Sequence, residues 1–303
     1  MNISAIEWYA PDTIPERMFV GYEEQQKAGI AIGNLVEGGE FKSVLVFGYS
    51  GTGKSAFPVF LTKRLNGDYD TKFSLALLRC QKILDEIVLR NHPLRALQRD
   101  LIDLSKKIQG RKAVLCLDEI DCVNYSINNS LIGESTIYEL ANVTLGHWIV
   151  DSLRHREKGI LIFGVSDYPK SLETAIASNF DIQIYFEPTD LRIVEEIIRR
   201  YLQIDRSMQI ASKLIQRLLD KKMNPISSEI VAACEYVKQK FPGDLNILTD
   251  QKILGVLMTY FCPCSATKRV NSYIREYSSL IHKSRDHTLP YLLSIYDKIK
   301  FAR

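Results

Sequence analysis

Short apolar runs alternate with amphipathic stretches up to about Pro188. Runs of β-branched and aromatic residues bounded by turn residues predict buried strands. Five such runs are present, at residues 41–47, 72–78, 113–117, 159–165 and 181–186. Helical patterns lie between them. Because strands that alternate with helices form parallel sheets, the pattern predicts an α/β core with helices on both faces of the sheet.

Three helical stretches are predicted within this core. The first runs to about Leu65, where Asn66-Gly67 is typical of a helix end. The second is a charged amphipathic stretch from Lys82 to Ile108, and the third covers residues 134–155. Together with the strands they give a first domain at residues 1–188.

Beyond Pro188 the pattern becomes helical throughout. Thr189 is predicted to cap a helix with an apolar stripe, since threonine hydroxyls accept hydrogen bonds from helix N-termini. Further helices are predicted at residues 208–219, 227–237 and 244–260. We therefore expect an all-helical lid at residues 189–262, followed by a short basic segment at residues 263–303.

Composition indicates a globular protein and excludes several classes. The 303 residues are 46% hydrophobic and 25% charged, ordinary values for a chain with a sizeable core. No apolar run approaches the roughly 20 residues of a membrane span, so no membrane partner is expected. The six cysteines show neither a disulfide framework nor zinc-ligand spacing, which predicts free thiols in a reducing compartment.

Charge is concentrated near the C-terminus. The net charge of +3 does not by itself indicate a nucleic-acid partner, but residues 267–303 hold eight Lys or Arg against three acids. Such a segment could neutralise phosphates, or it could be the solvated surface of a terminal helix packed on the lid.

A glycine-rich turn follows the first predicted strand and opens a helix. It reads Gly48-Tyr49-Ser50-Gly51-Thr52-Gly53-Lys54-Ser55 and fits the P-loop pattern G-x-x-x-x-G-K-[ST]. In such a loop, backbone N–H groups and the helix N-terminus surround the phosphates. Lys54 would reach the β- and γ-phosphates, and the Ser55 hydroxyl would bind Mg²⁺. The motif predicts a site for ATP with magnesium.

The third predicted strand ends in two adjacent acids, Asp118 and Glu119. Such an ending is common, but beside a P-loop it indicates a Walker B motif. Asp118 would hold the magnesium, usually through water, and Glu119 would orient and polarise an attacking water. Both acids fall at the carboxyl end of a strand, where open α/β sheets bind ligands. Hydrolysis of ATP is the reaction this pattern favours.

Further segments resemble the AAA+ initiator family, which comprises the largest origin recognition complex subunit, its helicase-loading paralogue and the archaeal single-chain initiators. The order of these segments along the chain supports the resemblance. The matching segments are Ile14-Pro15-Glu16-Arg17, Tyr22-Glu23-Glu24-Gln25, Asp118-Glu119-Ile120-Asp121, Ile162-Phe163-Gly164-Val165-Ser166, Ile184-Tyr185-Phe186-Glu187-Pro188 and Gly243-Asp244-Leu245-Asn246. The resemblance covers residues 10–255. Tyr22 departs from the arginine usual in the family.

This resemblance implies a P-loop AAA+ core and lid acting in a DNA replication initiation assembly. Ser166 would be the catalytic sensor 1 residue, although the family usually has asparagine there. The expected partners are other AAA+ initiator subunits, with DNA reached through the assembly. The implied location is the nucleus, or the cytoplasm if the source is archaeal.

Two departures from the family bear on hydrolysis. Asn246 stands where the family has the sensor 2 arginine, and Ser178-Asn179 occupies the stretch that would offer an arginine finger, with no Arg or Lys between Lys170 and Arg192. An arginine finger contributes about 10³–10⁵ in rate. We therefore expect slow hydrolysis unless a partner subunit supplies the finger. The family's C-terminal winged helix is expected to be truncated or absent.

Other functions stay open. A regulatory or scaffold AAA+ subunit with structural ATP is favoured by the missing arginines and opposed by the intact Asp118-Glu119 pair. A clamp-loader subunit lacks support because no S-R-C stretch follows sensor 1. A signalling NTPase switch also lacks support, since no sensor or repeat domain is attached.

Overall fold

The structure is a computed structural model, and it describes residues 5–15, 19, 23–68, 72–90, 92–124, 137–155, 158–167, 172–221, 223 and 226–261. Arg17, Tyr22 and the basic segment at residues 263–303 lie outside the described residues, and so does the expectation about a winged helix. Cys262 and Cys264 also lie outside them.

Six strands form one sheet in the order β1-β3-β4-β5-β2-β6. The strands are β1 Ile6–Tyr9, β2 Ser43–Gly48, β3 Ser74–Arg79, β4 Ala113–Asp118, β5 Ile160–Ser166 and β6 Ile182–Phe186. The five predicted strands are confirmed and run parallel. The added β1 pairs antiparallel with β3 at the sheet edge. Its four residues include Glu7 and form no continuous apolar run, so the pattern did not predict it.

Helices cover both faces of the sheet, as predicted. The helices of this part are α1 Glu23–Glu37, α2 Ala56–Asp68, α3 Cys80–Ile87, α4 Pro93–Ile108, α5 Ile137–Arg154 and α6 Thr174–Ala177. Successive strand residues point to opposite faces. In β4, Val114 joins a buried cluster with residues of α1 and α2, whereas Leu115 joins one with residues of α3, α4 and α5. The four strands β2, β3, β4 and β5 are thus buried on both sides, whereas the edge strands β1 and β6 are partly exposed.

Two helix predictions are corrected by local contacts. The helix predicted to end at Asn66-Gly67 continues to Asp68. The Asn66 side chain does not end it but accepts from the Phe73 N–H at 2.6 Å and donates to the Phe73 carbonyl at 2.9 Å. The stretch predicted from 82 to 108 is two helices. Pro93 begins the second one, and a residue that precedes proline avoids the right-handed helical region, which breaks the helix there. His92 is left-handed, at φ 55°.

The chain divides into two compact units, Met1–Ile197 with Asn224–Glu229, and Ile198–Met223 with Ile230–Arg303. Two of the three boundaries, after Ile197 and after Glu229, fall within helices. The predicted domain boundary at Pro188 stays a prediction. The remaining helices are α7 Leu191–Leu202, α8 Ser207–Asp220, α9 Ser227–Lys240 and α10 Asp250–Phe261. The second unit is helical wherever regular structure is described in it. None of the helices in the described part of the chain has the length and apolar character to span a membrane.

Capping residues differ from those predicted. The Ile193 N–H donates to Asp190 at 2.9 Å, so Asp190 caps α7, whereas the Thr189 hydroxyl lies 2.7 Å from that of Ser227. The predicted helix from Asp244 begins later, at Asp250. Asp244 instead accepts from the Asn246 N–H and caps a single 3₁₀ turn, Leu245–Ile247.

The four described cysteines, Cys80, Cys116, Cys122 and Cys234, are thiols that form no disulfide with one another. Burial raises the pKa of the Cys80 thiol and raises the pKa of Cys234 to about 12. These thiols therefore remain protonated at neutral pH and act as small apolar side chains.

Gly48 closes β2 where only glycine fits. It has φ +142°, and a Cβ there would lie 2.1 Å from the Phe186 carbonyl oxygen. We expect Gly48→Ala to destabilise the fold by about 2–3 kcal/mol, as overpacking and backbone strain add. Gly67→Ala is the matched control, because nothing lies within 4 Å of its added Cβ and alanine favours helix by about 0.5 kcal/mol. Urea unfolding measures both; equal stability of the two variants would contradict the packing at β2.

Candidate nucleotide site

The P-loop connects the end of β2 to the start of α2. Gly51 and Gly53 have φ values of +74° and +95°, a backbone region that glycine enters without strain. The Thr52 hydroxyl donates to the Tyr49 carbonyl at 2.8 Å. The Ala56 N–H donates to the Gly53 carbonyl at 3.0 Å, which starts the helix. The loop therefore has the glycine-dependent shape that lets a backbone approach phosphates.

Lys54 is buried within this loop. Its side chain is 3% exposed, and its Nζ lies 2.5 Å from the Tyr49 carbonyl oxygen and 2.6 Å from Asp167 Oδ1. A buried ammonium requires such partners, because loss of hydration is costly. The predicted phosphate-binding lysine is thus held inside the loop.

A hydrogen bond joins the two nucleotide motifs. The Ser55 hydroxyl donates to Asp118 Oδ1 at 2.8 Å. The sheet order makes this possible, since β4, β5 and β2 are neighbours and their carboxyl ends meet at one edge. The two predicted magnesium ligands are therefore brought together from positions 63 residues apart.

Both Walker B acids have a raised pKa. For Asp118 the cause is mainly burial, opposed by the Ser55 hydrogen bond and the charge of Arg79. For Glu119 it is burial and then the charges of Asp118 and other nearby acids, Asp121, Asp167 and Asp85. Glu119 also has φ 59°. A left-handed non-glycine residue is strained, and such residues cluster at functional sites.

Ser166, the predicted sensor 1 residue, ends β5 beside the P-loop strand. It pairs in register with Phe47, one residue before Gly48. Its hydroxyl is fully buried and has no hydrogen-bond partner among the described residues. An unpaired buried hydroxyl is costly, and in a native protein it calls for an explanation such as a ligand.

Sequence reasoning missed two charged residues of this site. Asp167 contacts Lys54 directly, and its position after Ser166 at a strand end was the available signal. Arg79 ends β3 in register with Asp118 and bonds Glu7 of β1 at 2.9 Å. The sequence pattern did not predict β1, which carries the Glu7 partner of Arg79, so it gave no indication that Arg79 belongs to the site.

A third missed group is the start of α9, which belongs to the same compact unit as the P-loop. The Ser228 N–H donates to the Gly51 carbonyl at 3.1 Å. A Cβ on Gly51 would lie 2.2 Å from Ile226 Cγ2. Residues 226–228 therefore lie directly against the tip of the loop.

An aromatic residue borders the loop on another side. The Phe19 ring would lie 3.7 Å from a Cβ on Gly53, and it packs on Phe57 and Phe186 with centroids 5.2 and 5.9 Å away. Phe19 thus lies beside the P-loop.

The positions that lack the family's arginines have other roles. Asn246 lies in the second unit, where its side chain accepts from the Asp205 N–H at 3.2 Å and donates to the Gln203 carbonyl at 3.3 Å. Asn179 donates to the Ala175 carbonyl at 2.6 Å and accepts from Arg154 at 3.2 Å. Both asparagine side chains are therefore committed to bonds with neighbouring backbone or side chains.

The comparisons with known proteins identify the domain. Residues 44–188 match the profile of the family described as ATPase family associated with various cellular activities (AAA). The chain contains an AAA-family ATPase domain. This AAA domain spans the P-loop, the Walker B acids and β6. A search of curated protein sequences found no match.

Solved structures of AAA domains have the same fold. The FIGL-1 AAA domain matches with a TM-score of 0.55 and 14% identity, over 90% of this chain and 91% of that chain. The same domain in complex with ADP matches with a TM-score of 0.53 and 13% identity, over 90% and 92%. At such identities the likeness establishes the fold, and it does not distinguish among AAA branches.

The residues present fit a magnesium-bound nucleotide. The glycine conformations of the loop, the buried Lys54 and the unpaired Ser166 hydroxyl suit a polyphosphate. No group of three or more His, Cys, Asp or Glu side chains within the described ranges could hold a metal by itself. Magnesium is ordinarily bound by one or two carboxylates together with substrate phosphates and water, which matches a pair such as Ser55 and Asp118.

Proposed function

We propose that this AAA domain binds ATP with magnesium and hydrolyses it, acting as a nucleotide switch. The observation that supports this most directly is the 2.8 Å bond from Ser55 to Asp118, which joins the P-loop to the Walker B strand. Residues 48–55 would hold the phosphates, and Ser55 and Asp118 would hold the metal. Bound magnesium neutralises charge on the β- and γ-phosphates. Glu119 would orient the attacking water, and Ser166 would donate to a phosphate oxygen.

We propose that hydrolysis by the isolated chain is slow. Asn246 offers no positive charge, and its side chain is bonded within the second unit. The Ser178-Asn179 stretch likewise holds no cation. Because an arginine finger contributes about 10³–10⁵ in rate, its supply by a partner subunit would accelerate turnover accordingly.

Equilibrium binding and single-turnover hydrolysis of ATP by the purified chain test this function. We expect magnesium-dependent binding at micromolar affinity, of the order typical for enzyme substrates, and turnover far below about 1 s⁻¹. No binding by correctly folded protein would refute the nucleotide site. Fast turnover without a partner would refute only the dependence on a supplied arginine.

At a finer level, we propose that the chain is a subunit of a DNA replication initiation assembly. The support is the ordered series of motifs that resembles AAA+ initiators, including Asp118-Glu119-Ile120-Asp121. Its partners would be other AAA+ subunits, and DNA would be reached through the assembly. The assembly would act in the nucleus, or in the cytoplasm of an archaeon.

A pull-down from native extract with ATP, compared with one in which ATP is omitted, tests the initiator proposal. We expect AAA+ initiator subunits to co-purify in an ATP-dependent manner. Partners confined to another AAA pathway would overturn the proposal while leaving nucleotide binding intact.

A regulatory or scaffold subunit with structural ATP is the second candidate. The hydrogen bonds of the Asn246 side chain favour it, because an asparagine held by these bonds does not supply the positive charge of a sensor 2 arginine. Comparison of wild-type turnover with that of Glu119→Gln separates the two candidates. A scaffold subunit would not hydrolyse ATP even with its partners bound, so the wild type and Glu119→Gln would both show no turnover.

A further inference from the structure

The Lys54 ammonium is already bonded to an acid of this chain. Of the three N–H donors of a lysine, two are directed at the Tyr49 carbonyl and at Asp167 Oδ1, at 2.5 and 2.6 Å. The Tyr49 carbonyl belongs to the loop itself, so this contact moves with the lysine. Asp167 comes from the end of another strand, after β5, and supplies a full negative charge.

The two partners of this ion pair differ in burial. The Lys54 side chain is 3% exposed, whereas that of Asp167 is 38% exposed. A buried cation must keep an anionic or polar partner, but an exposed carboxylate can be rehydrated at little cost. The pair is therefore built so that the lysine stays in place and the carboxylate can be exchanged for another anion.

Asp167 does not belong to a cluster suited to metal binding. Its charge reaches Asp118 and Glu119, because it contributes to the raised pKa of both acids. Among the described residues, however, no three such side chains converge as a metal site. Its direct partner is the lysine, so Asp167 is the counter-ion of Lys54.

We propose that Asp167 competes with nucleotide phosphates for Lys54 and thereby sets the nucleotide affinity of the site. This inference rests on the proposed nucleotide binding and names a residue that regulates it. A phosphate that takes the lysine must displace this carboxylate from it. Removing the charge while keeping the shape, as in Asp167→Asn, should leave the lysine available.

Affinities for ADP and ATP, measured by calorimetry with magnesium and with EDTA, test the competition. We expect Asp167→Asn to bind both nucleotides roughly 10-fold more tightly, a modest factor because Asp167 is partly exposed. Glu40→Gln is the matched control, since Glu40 is an exposed acid whose partner Lys42 lies 3.2 Å away. That control should leave the affinities unchanged. Circular dichroism verifies folding, and Asp167→Ser serves as a second variant.

A double-mutant cycle separates competition from general repulsion. In a Lys54→Ala background, Asp167→Asn should give no further gain in affinity, measured at nucleotide concentrations high enough to detect weak binding. Weaker binding of Asp167→Asn, a gain confined to magnesium-containing buffer, or a gain that persists without Lys54 would each overturn the proposal. Absence of nucleotide binding by the wild type would instead refute the proposed function itself.

Discussion

Lys54→Ala is expected to lower the affinity for ATP with magnesium by about 100-fold or more. The substitution removes the ammonium that would pair with the nucleotide phosphates, and truncating one member of a desolvated, hydrogen-bonded charge pair costs about 2–5 kcal/mol of binding. The fold should survive, because the Asp167 side chain left behind is 38% exposed and can be hydrated. Titration with a fluorescent nucleotide measures the loss.

Lys63→Ala is the control for this prediction. Lys63 is an exposed lysine on the same helix, α2, beyond the loop. Its removal should change nucleotide affinity less than about twofold, since exposed charges distant from a site contribute little. If Lys54→Ala binds nucleotide as tightly as Lys63→Ala, the assignment of residues 48–55 as the phosphate site is wrong.

Glu119→Gln is expected to reduce ATP turnover by about 10²–10³-fold while nucleotide affinity is retained. The carboxylate would orient and polarise the attacking water, and loss of a general base typically has an effect of about this size. Glutamine preserves the shape of the residue and removes the charge. Pre-steady-state hydrolysis and equilibrium binding, measured on the same sample, separate the two effects.

The same substitution should raise the thermal stability of the nucleotide-free protein. Burial and neighbouring acids raise the pKa of Glu119, so its ionised form is disfavoured in the folded state. A raised pKa costs stability when pH exceeds it, and this cost disappears as pH falls through it. The gain in Tm should therefore be largest at neutral and alkaline pH and shrink toward acid.

Asp121→Asn controls for a general loss of negative charge near this strand end. Asp121 lies in the 3₁₀ turn after Glu119 and is one of the acids that raise its pKa. We expect turnover within a few-fold of wild type. Equal losses for Asp121→Asn and Glu119→Gln would show that the water is not oriented by Glu119 specifically.

The parallel strands and the nucleotide motifs could be predicted because their signals are local. A run such as residues 113–117 is apolar throughout since both faces are buried, and the P-loop pattern combines glycines with a lysine in a fixed order. The carboxyl ends of parallel strands lie at one edge of a sheet, so Ser55 and Asp118 are expected to meet there.

The remaining features depend on contacts that sequence order does not reveal. Thr189 looked like a cap, but its hydroxyl pairs with Ser227, which is 38 residues away. Residues 226–228 lie against Gly51 although they fall in the predicted lid. The position of Asp167 at a strand end was a signal for the site, but it did not indicate a contact with Lys54, because one acid after a strand has many possible partners.

The edge strand β1 connects a distant part of the chain to the chemistry of Asp118. Glu7 bonds Arg79 at 2.9 Å and also accepts from the Tyr9 hydroxyl, while the charge of Arg79 lowers the pKa of Asp118. Glu7 thus neutralises part of the charge that helps to keep Asp118 ionised. A substitution at Glu7 would therefore change the charge that reaches Asp118, although Glu7 lies outside both the P-loop and β4.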